Sequence, residues 1–241
     1  MHKDSDDAGN SHEERNTEDF VLKIVSAIVI VFLVFSASFL LVFFDHGFYD
    51  KSYSKYGAYE NIGVEGIRKT TDYLTSYLIS EKGEINSIPG LSVFTQDEKS
   101  HLQDVHRLFM IGKRLILAAI IILAIALRRT YVKGGFKRKL LGTLRFSAYV
   151  TAGALAILFI LSLFGFDWMF LSFHQVFFPQ GNYMFAVDSL IKTMYPDSFF
   201  RDFTMKIGFH ALIMALILYF IGSSSAIAKS RNSRAGKARK K

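Results

Sequence analysis

Four long blocks of apolar residues constrain this chain more than any other feature of its sequence. They are residues 20–44, 108–127, 146–166 and 207–227. An α-helix needs about 20 apolar residues to cross the hydrocarbon core of a bilayer, and each block meets that requirement. Residues 146–166 carry no charge, and residues 207–227 contain only the titratable His210. The blocks predict an all-α integral membrane protein with four transmembrane helices.

The composition excludes several classes of site. The chain has no cysteine, which rules out disulfide scaffolds, thiol nucleophiles and zinc sites with cysteine ligands. Its net charge of +8 is concentrated in two segments, and no base-reading motif accompanies them. Attraction to anionic lipid therefore explains these charges more simply than nucleic-acid binding does, and no nucleic-acid partner is predicted.

Positive charges orient the four predicted helices. Residues 128–145 and 228–241 each contain seven Lys or Arg and no acidic residue. The connections 45–107 and 167–206 contain seven and three Lys or Arg, against ten and four Asp or Glu. Since cytoplasmic segments are enriched in Lys and Arg, both basic segments are expected to be cytoplasmic. With an even number of spans, both termini are then cytoplasmic as well.

Three segments follow from this orientation. Residues 1–19 are expected to form an acidic N-terminal cytoplasmic tail, residues 20–227 the membrane domain, and residues 228–241 a basic C-terminal cytoplasmic tail. Residues 1–19 lack the basic start of a secretory signal, so the first span is expected to be an uncleaved anchor. The connections 45–107 and 167–206 would form a small extracytoplasmic cap.

The first outer connection contains helix signals and is too long to be a simple turn. Between residues 59 and 79, apolar side chains recur at helical spacing. Thr95 and Glu98 have the sequence pattern of a capping box, in which each side chain binds a free backbone amide of the other residue. The pattern predicts a helix that starts here and runs through His101 into the second span.

The second outer connection is rich in aromatic residues. Between residues 164 and 203, 13 of 40 positions are Phe, Tyr or Trp, against 15% of the whole chain. An aromatic belt at the headgroup level accounts for part of this density. A partly immersed re-entrant or interfacial segment explains it better, and such backbone needs surrounding protein or a cavity. The sequence thus favours a functional pocket over passive anchoring.

Histidines are the most informative polar residues of the two outer connections. His101 and Asp104 are three residues apart and share a face of the predicted helix, so Asp104 is expected to orient the imidazole. His101 and His174 together are the predicted acid–base pair, because imidazole exchanges protons near neutral pH. His106 is turned to another face, and no metal site is predicted.

Two basic residues lie inside the second apolar block. Lys113 and Arg114 are near the predicted outer end of this span. Charged side chains within a span usually face the protein interior or a cavity, whereas long side chains near its end can extend to the interface. For Lys113 and Arg114, extension to the interface and a polar contact to substrate both stay open.

Short motifs in the outer connections resemble those of the lipoprotein intramolecular transacylases of Gram-positive bacteria. The motifs are His101-Leu-Gln-Asp-Val105, Phe173-His174-Gln-Val-Phe-Phe178, Gly181-Asn-Tyr183, Asp188-Ser-Leu-Ile191 and Tyr195-Pro-Asp-Ser-Phe-Phe200. Their order relative to the four spans makes the resemblance specific. The family usually has Met where Leu102 stands and Trp where Tyr183 stands, and both departures leave the chemistry possible.

The resemblance implies an acyl migration within one diacylglyceryl-modified lipoprotein. The sn-2 acyl chain would move to the amine of the N-terminal cysteine and give the lyso-form lipoprotein. His101 and His174 would be catalytic, at the extracytoplasmic face of the plasma membrane, and no cofactor is predicted. The expected partners are the lipoprotein substrate and membrane lipid. Residues expected to support the histidines or bind substrate are Asp104, Asn182, Tyr183, Asp188 and Arg114.

Two other functions fit the same topology. The chain could be a non-enzymatic membrane adaptor or receptor whose outer cap binds a partner, in which case alanine at both histidines would be tolerated. It could also be an outer-surface acyl-transfer or hydrolytic enzyme that acts on phospholipid. Acyl release from phospholipid alone would favour that alternative.

Overall fold

The described part of this computed structural model is helical, and it contains no strand. The structure describes residues 3–81 and 84–238, with side chains for residues 16–81 and 84–224. Two short 3-10 turns, Ile85–Ser87 and Pro89–Leu91, lie between the helices. The α-helices of the described residues are α1 (Lys3–Phe43), α2 (His46–Lys55), α3 (Ala58–Ile62), α4 (Val64–Ile79), α5 (Gln96–Val132), α6 (Phe136–Phe164), α7 (Phe166–Phe177), α8 (Leu190–Met194) and α9 (Asp197–Ala238).

Four of the described helices are long and apolar enough to cross a membrane. They contain the segments Asn16–Phe43, Gln96–Val132, Phe136–Phe164 and Asp197–Ser224. Between 6% and 28% of the most apolar window of each segment is buried within the protein, which leaves most of these side chains available to lipid. Each predicted block coincides with one of these helices, although blocks 20–44 and 146–166 extend one and two residues past the ends of α1 and α6. The prediction of an all-α membrane protein with four spans is confirmed.

The chain divides into two compact units, of which the first contains residues 1–36, 117–155 and 211–241. Its core forms around Ile30, Val34 and Ala211, all of which are buried. At the start of the first span, Lys133 pairs with Glu18 and Lys139 pairs with Asp19. These ion pairs join the basic connection to α1.

The second unit contains residues 37–116 and 156–210, and it holds both predicted cap segments. Its apolar core includes Ile67, Leu74 and Leu78, the residues of α4 that are buried at helical spacing. The helical region predicted for residues 59–79 is two helices, because Gly63 adopts a φ of +85° between α3 and α4. This conformation is unfavourable for other residues and ends α3.

A capping box starts α5, as predicted. The Thr95 amide donates to Glu98 Oε2 at 2.8 Å, and the Glu98 amide donates to Thr95 Oγ1 at 3.3 Å. The helix then continues without interruption through His101 to Val132. The capping box therefore fixes the point at which the chain enters the helix that carries His101.

The second outer connection begins where α6 ends. Gly165 separates α6 from α7, and the α7 helix carries His174. Residues 178–189 form a non-helical segment, called the aromatic segment below, which leads into α8. The short helix α8 buries Ile191 and Met194 in the core of the second unit. Two helices and the aromatic segment thus make up most of the connection.

Candidate functional site

Two imidazole rings lie side by side in the second unit. The centroids of the His101 and His174 rings are 6.1 Å apart, and the ring planes differ by 19°. His101 is 7% exposed and projects from α5, whereas His174 is half-buried and projects from α7. The fold therefore brings together the two histidines that the sequence singled out.

Aromatic rings surround the two imidazoles. Phe178 lies 4.6 Å from His101 and 5.5 Å from His174, measured between ring centroids. Phe185 lies 5.5 Å from His101, and Tyr183 lies 5.0 Å from His174. All three rings belong to the aromatic segment. An enclosure of this kind shields the imidazoles from bulk water.

A backbone hydrogen bond fixes the tautomer of His174. Its Nδ1 lies 2.8 Å from the carbonyl oxygen of Phe170, and a carbonyl oxygen can only accept, so Nδ1 donates. In the neutral ring, Nε2 then carries the free lone pair. Burial lowers the pKa of His174 from its ordinary value, and this effect exceeds the opposing one of the Phe170 carbonyl. The ring is therefore neutral at pH 7, and Nε2 can accept a proton.

The two nitrogens of His101 have different surroundings. Nδ1 is buried and has no hydrogen-bond partner among the described residues. A buried nitrogen without a partner costs about 1–3 kcal/mol whether it carries the proton or the lone pair, so the surroundings of Nδ1 do not by themselves select a tautomer. With its proton on Nε2, the neutral ring can act as a hydrogen-bond donor.

Asp104 organises the aromatic segment. Its side chain is 9% exposed, and Oδ2 accepts a hydrogen bond from Asn182 Nδ2 at 2.7 Å and another from Gln180 Nε2. The other carboxylate oxygen pairs with Arg107 at 2.7 Å. These bonds fasten the aromatic segment to α5. The expected role of Asp104 in orienting the imidazole of His101 stays a prediction.

The three other predicted site residues, Tyr183, Asp188 and Arg114, differ in their position relative to the imidazoles. Tyr183 contacts His174 and belongs to the site. Asp188 is exposed near the end of the aromatic segment, and no described contact joins it to either imidazole. Arg114 is exposed on α5, about 20 Å along the helix axis from His101. The structure does not bring Asp188 or Arg114 to the imidazole pair.

The other histidines of the second unit contact groups outside the imidazole pair. His106 Nε2 lies 2.9 Å from the carbonyl oxygen of Ser80, beyond the end of α4. His46 lies 3.5 Å from the carboxylate of Asp72. His210 Nδ1 lies 3.0 Å from the carbonyl oxygen four residues earlier on α9. Among the described residues, no three His, Cys, Asp or Glu side chains form a group that could hold a metal ion.

Sequence reasoning missed two residues that shape the site. Gln180 donates to Asp104, and the Phe185 ring packs against His101. Gln180 stands close to Asn182 in the sequence, but nothing local to either residue indicates a bond to α5. These contacts form only when the two outer connections pack together.

Comparison with known proteins identifies one matching family and several solved structures with a similar fold. The family model described as lipoprotein intramolecular transacylase Lit matches residues 24–200. No curated protein compared with the chain matches it.

Solved structures of the membrane-integral lipoprotein intramolecular transacylase Lit from Bacillus cereus have a similar fold. One has a TM-score of 0.76 and 19% identity, over 90% of this chain and 99% of that chain. A variant with one histidine replaced by arginine has a TM-score of 0.76 and 17% identity, over 94% and 99%. The alanine variant at that histidine has a TM-score of 0.75 and 17% identity, over 92% and 99%.

Proposed function

Because the chain belongs to the lipoprotein intramolecular transacylase family, we propose that it moves the sn-2 acyl chain of a diacylglyceryl lipoprotein to its N-terminal amine. The product is the lyso-form lipoprotein. Family membership favours a membrane enzyme of acyltransferase type over the non-enzymatic adaptor or receptor. The observation that carries the proposal is the pair of stacked imidazoles, His101 and His174, inside a shell of aromatic rings.

His174 is the base of the proposed reaction. The α-amine of the substrate has an ordinary pKa of about 8, so a mild base suffices to remove its proton. As the amine nitrogen attacks the carbonyl carbon of the sn-2 ester, His174 Nε2 accepts that proton. The hydrogen bond from Nδ1 to the carbonyl of Phe170 orients the ring throughout.

His101 is the donor of the proposed reaction. Attack on the ester forms a tetrahedral centre with a negatively charged oxygen, which a hydrogen bond from His101 Nε2 stabilises. When the bond from the central carbon to the glyceryl oxygen breaks, the imidazolium of His174 returns its proton to that oxygen. An amide has replaced the ester, and both imidazoles are again neutral.

The aromatic shell supplies the geometry of the proposed reaction. Amine and ester belong to one molecule, and favourable orientation of such groups can contribute about 7–11 kcal/mol to lowering the barrier. Phe178 contacts both imidazoles, so it separates the reacting groups from water on that side. A confined site also limits hydrolysis of the ester.

The site is proposed to open to lipid at the extracytoplasmic face of the plasma membrane. Residues 168–187 contain no Asp, Glu, Lys or Arg, although α7 lies outside the four candidate spans. Large apolar side chains are exposed here, with Trp168 at 67%, Val176 at 71% and Met184 at 82%. A surface of this kind is suited to lipid contact. Residues 1–19 and 228–241 are the proposed cytoplasmic tails.

Mass spectrometry of a reporter lipoprotein tests the proposal. Co-expression with the wild type should give the lyso-form N-terminal peptide, whereas His101→Ala and His174→Ala should lower its rate of formation about 10²–10⁴-fold. His46→Ala is the control, because the side chain of His46 is 76% exposed.

Two results would contradict this proposal. One is lyso-form product at the wild-type rate from either alanine variant, which would remove the histidines from the chemistry. The other is release of acyl chains when the purified protein is mixed with phospholipid alone, which would favour a phospholipid-directed enzyme.

A further inference from the structure

We propose that Glu98 is a positioning residue, which holds the aromatic segment in register with His101 by capping two helices with one carboxylate. This inference rests on the proposed acyl transfer for its effect on rate. Its structural part concerns only the contacts of Glu98 and can be measured separately.

The two carboxylate oxygens of Glu98 serve different helices. Oε2 accepts hydrogen bonds from the amide and the hydroxyl of Thr95, at 2.8 and 3.0 Å, and so completes the start of α5. Oε1 accepts a hydrogen bond from the amide of Ile191 at 2.9 Å, in the first turn of α8. The side chain is almost fully buried, with 1% of the residue exposed.

The helix α8 depends on such outside support. It has five residues, and helices this short are unstable in isolation because their nucleation is costly. Its N-cap is Ser189, whose Oγ accepts a long hydrogen bond of 3.4 Å from the backbone amide of Lys192. The Ile191 amide is buried in the core, where an unpaired donor costs about 1–3 kcal/mol. Glu98 supplies the acceptor that this amide requires.

Glu98 and Asp104 hold the aromatic segment on either side of His101. The three residues follow one another at intervals of three along α5, so they share a face of the helix. Asp104 binds the early part of the segment through Gln180 and Asn182. Glu98 binds Ile191 in α8, the helix that directly follows the segment. The rings of Tyr183 and Phe185, which contact the imidazoles, lie between those attachments, and Phe178 precedes the first of them by two residues.

A glutamine at position 98 would break this arrangement. Its side-chain amide has one acceptor oxygen and two N–H donors, so it can accept from Thr95 or from Ile191 but not from both. The N–H groups of the new side chain would face the backbone amide of the other residue, which is also a donor. The aromatic segment would then lose one attachment, and a displacement of about 1 Å at the reacting groups can slow an enzyme about 100-fold.

The test compares Glu98→Gln with Asp97→Asn in the full-length protein, reconstituted in lipid nanodiscs. Asp97 is exposed in the same first turn of α5, so its variant loses the same charge and no helix contact. Single-turnover formation of the lyso-form should slow about 10–100-fold in Glu98→Gln, with KM changed less than twofold. Asp97→Asn should match the wild type.

Spin-label distances provide the structural measurement. The chain has no cysteine, so cysteines introduced at the exposed residues Gln96 and Val187 can be labelled alone. Pulsed electron spin resonance should give a narrow distance distribution in the wild type and in Asp97→Asn, and a broader one in Glu98→Gln. If Glu98→Gln does not fold, an ester can replace the backbone amide of Ile191, which removes the hydrogen bond donated to Glu98. This variant should likewise show a slower rate and a broader distance distribution.

The possible results separate the two proposals. A wild-type rate in Glu98→Gln, whether its distance distribution is narrow or broad, would overturn the positioning role. Absence of the lyso-form with the wild-type protein would overturn the proposed function, whereas the distance measurement would still report on the attachment by Glu98.

Discussion

At the scale of single residues, the two imidazoles differ in how their nitrogens are used. The Nδ1 of His174 is occupied by a backbone carbonyl, whereas the Nδ1 of His101 is buried without a partner among the described residues. In the proposed reaction, Nε2 acts as an acceptor in His174 and as a donor in His101, so two residues of the same type would supply a base and a donor.

Burial of His174 should make stability depend on pH. The pKa of His174 in the folded protein is lowered, so between this value and the ordinary pKa of about 6.5 only the unfolded chain gains a proton. Lowering the pH from 7 to 5 should therefore decrease the melting temperature. The decrease should be smaller in His174→Gln, as measured by thermal denaturation in detergent. His46→Gln is the control, and an equal decrease in all three proteins would contradict the argument.

At the scale of helices, the start of α5 is the element most completely predicted from sequence. Thr95 and Glu98 form the expected reciprocal bonds, and the helix begins at the next residue after Thr95. The capping box sets the register of α5, and that register determines which way His101 faces. A local interaction at a helix end thus contributes to the geometry of the site.

Loss of the cap should destabilise the protein measurably. Thr95→Ala removes the hydroxyl that accepts from the Glu98 amide, and such substitutions cost about 1 kcal/mol. A lower melting temperature is expected by differential scanning fluorimetry, although Ile191 would keep its bond to Glu98. The comparison variant is Gln96→Ala, one residue further along on the exposed side of α5. Equal melting temperatures for the two variants would show that the hydroxyl contributes nothing.

At the scale of the whole molecule, charge and hydropathy divide the chain between membrane and water. The four long helices bury little of their apolar surface within the protein, as expected of helices that face lipid. The basic connection between α5 and α6 and the acidic first outer connection lie on different sides in the proposed orientation, because the second span separates them.

The proposed orientation can be tested with a pair of lysine positions. Lys51 in α2 and Lys137 in α6 are both exposed, and the absence of native cysteine allows single-cysteine variants at each. In intact cells, a membrane-impermeant maleimide should label Lys51→Cys, and it should label Lys137→Cys only after permeabilisation. The reverse pattern would place the cap and the histidine pair on the cytoplasmic side.

The sequence by itself determined the four spans and the helix start at Thr95, and it singled out His101 and His174, whose rings lie side by side. Apolar blocks, capping patterns and charge runs act over short stretches of chain, so they can be read without knowing what packs against them. The break at Gly63, the attachment of Gln180 to Asp104 and the double cap of Glu98 were decided only by the tertiary structure. A backbone turn or a buried hydrogen bond between distant segments depends on which side chains meet when the outer connections fold together.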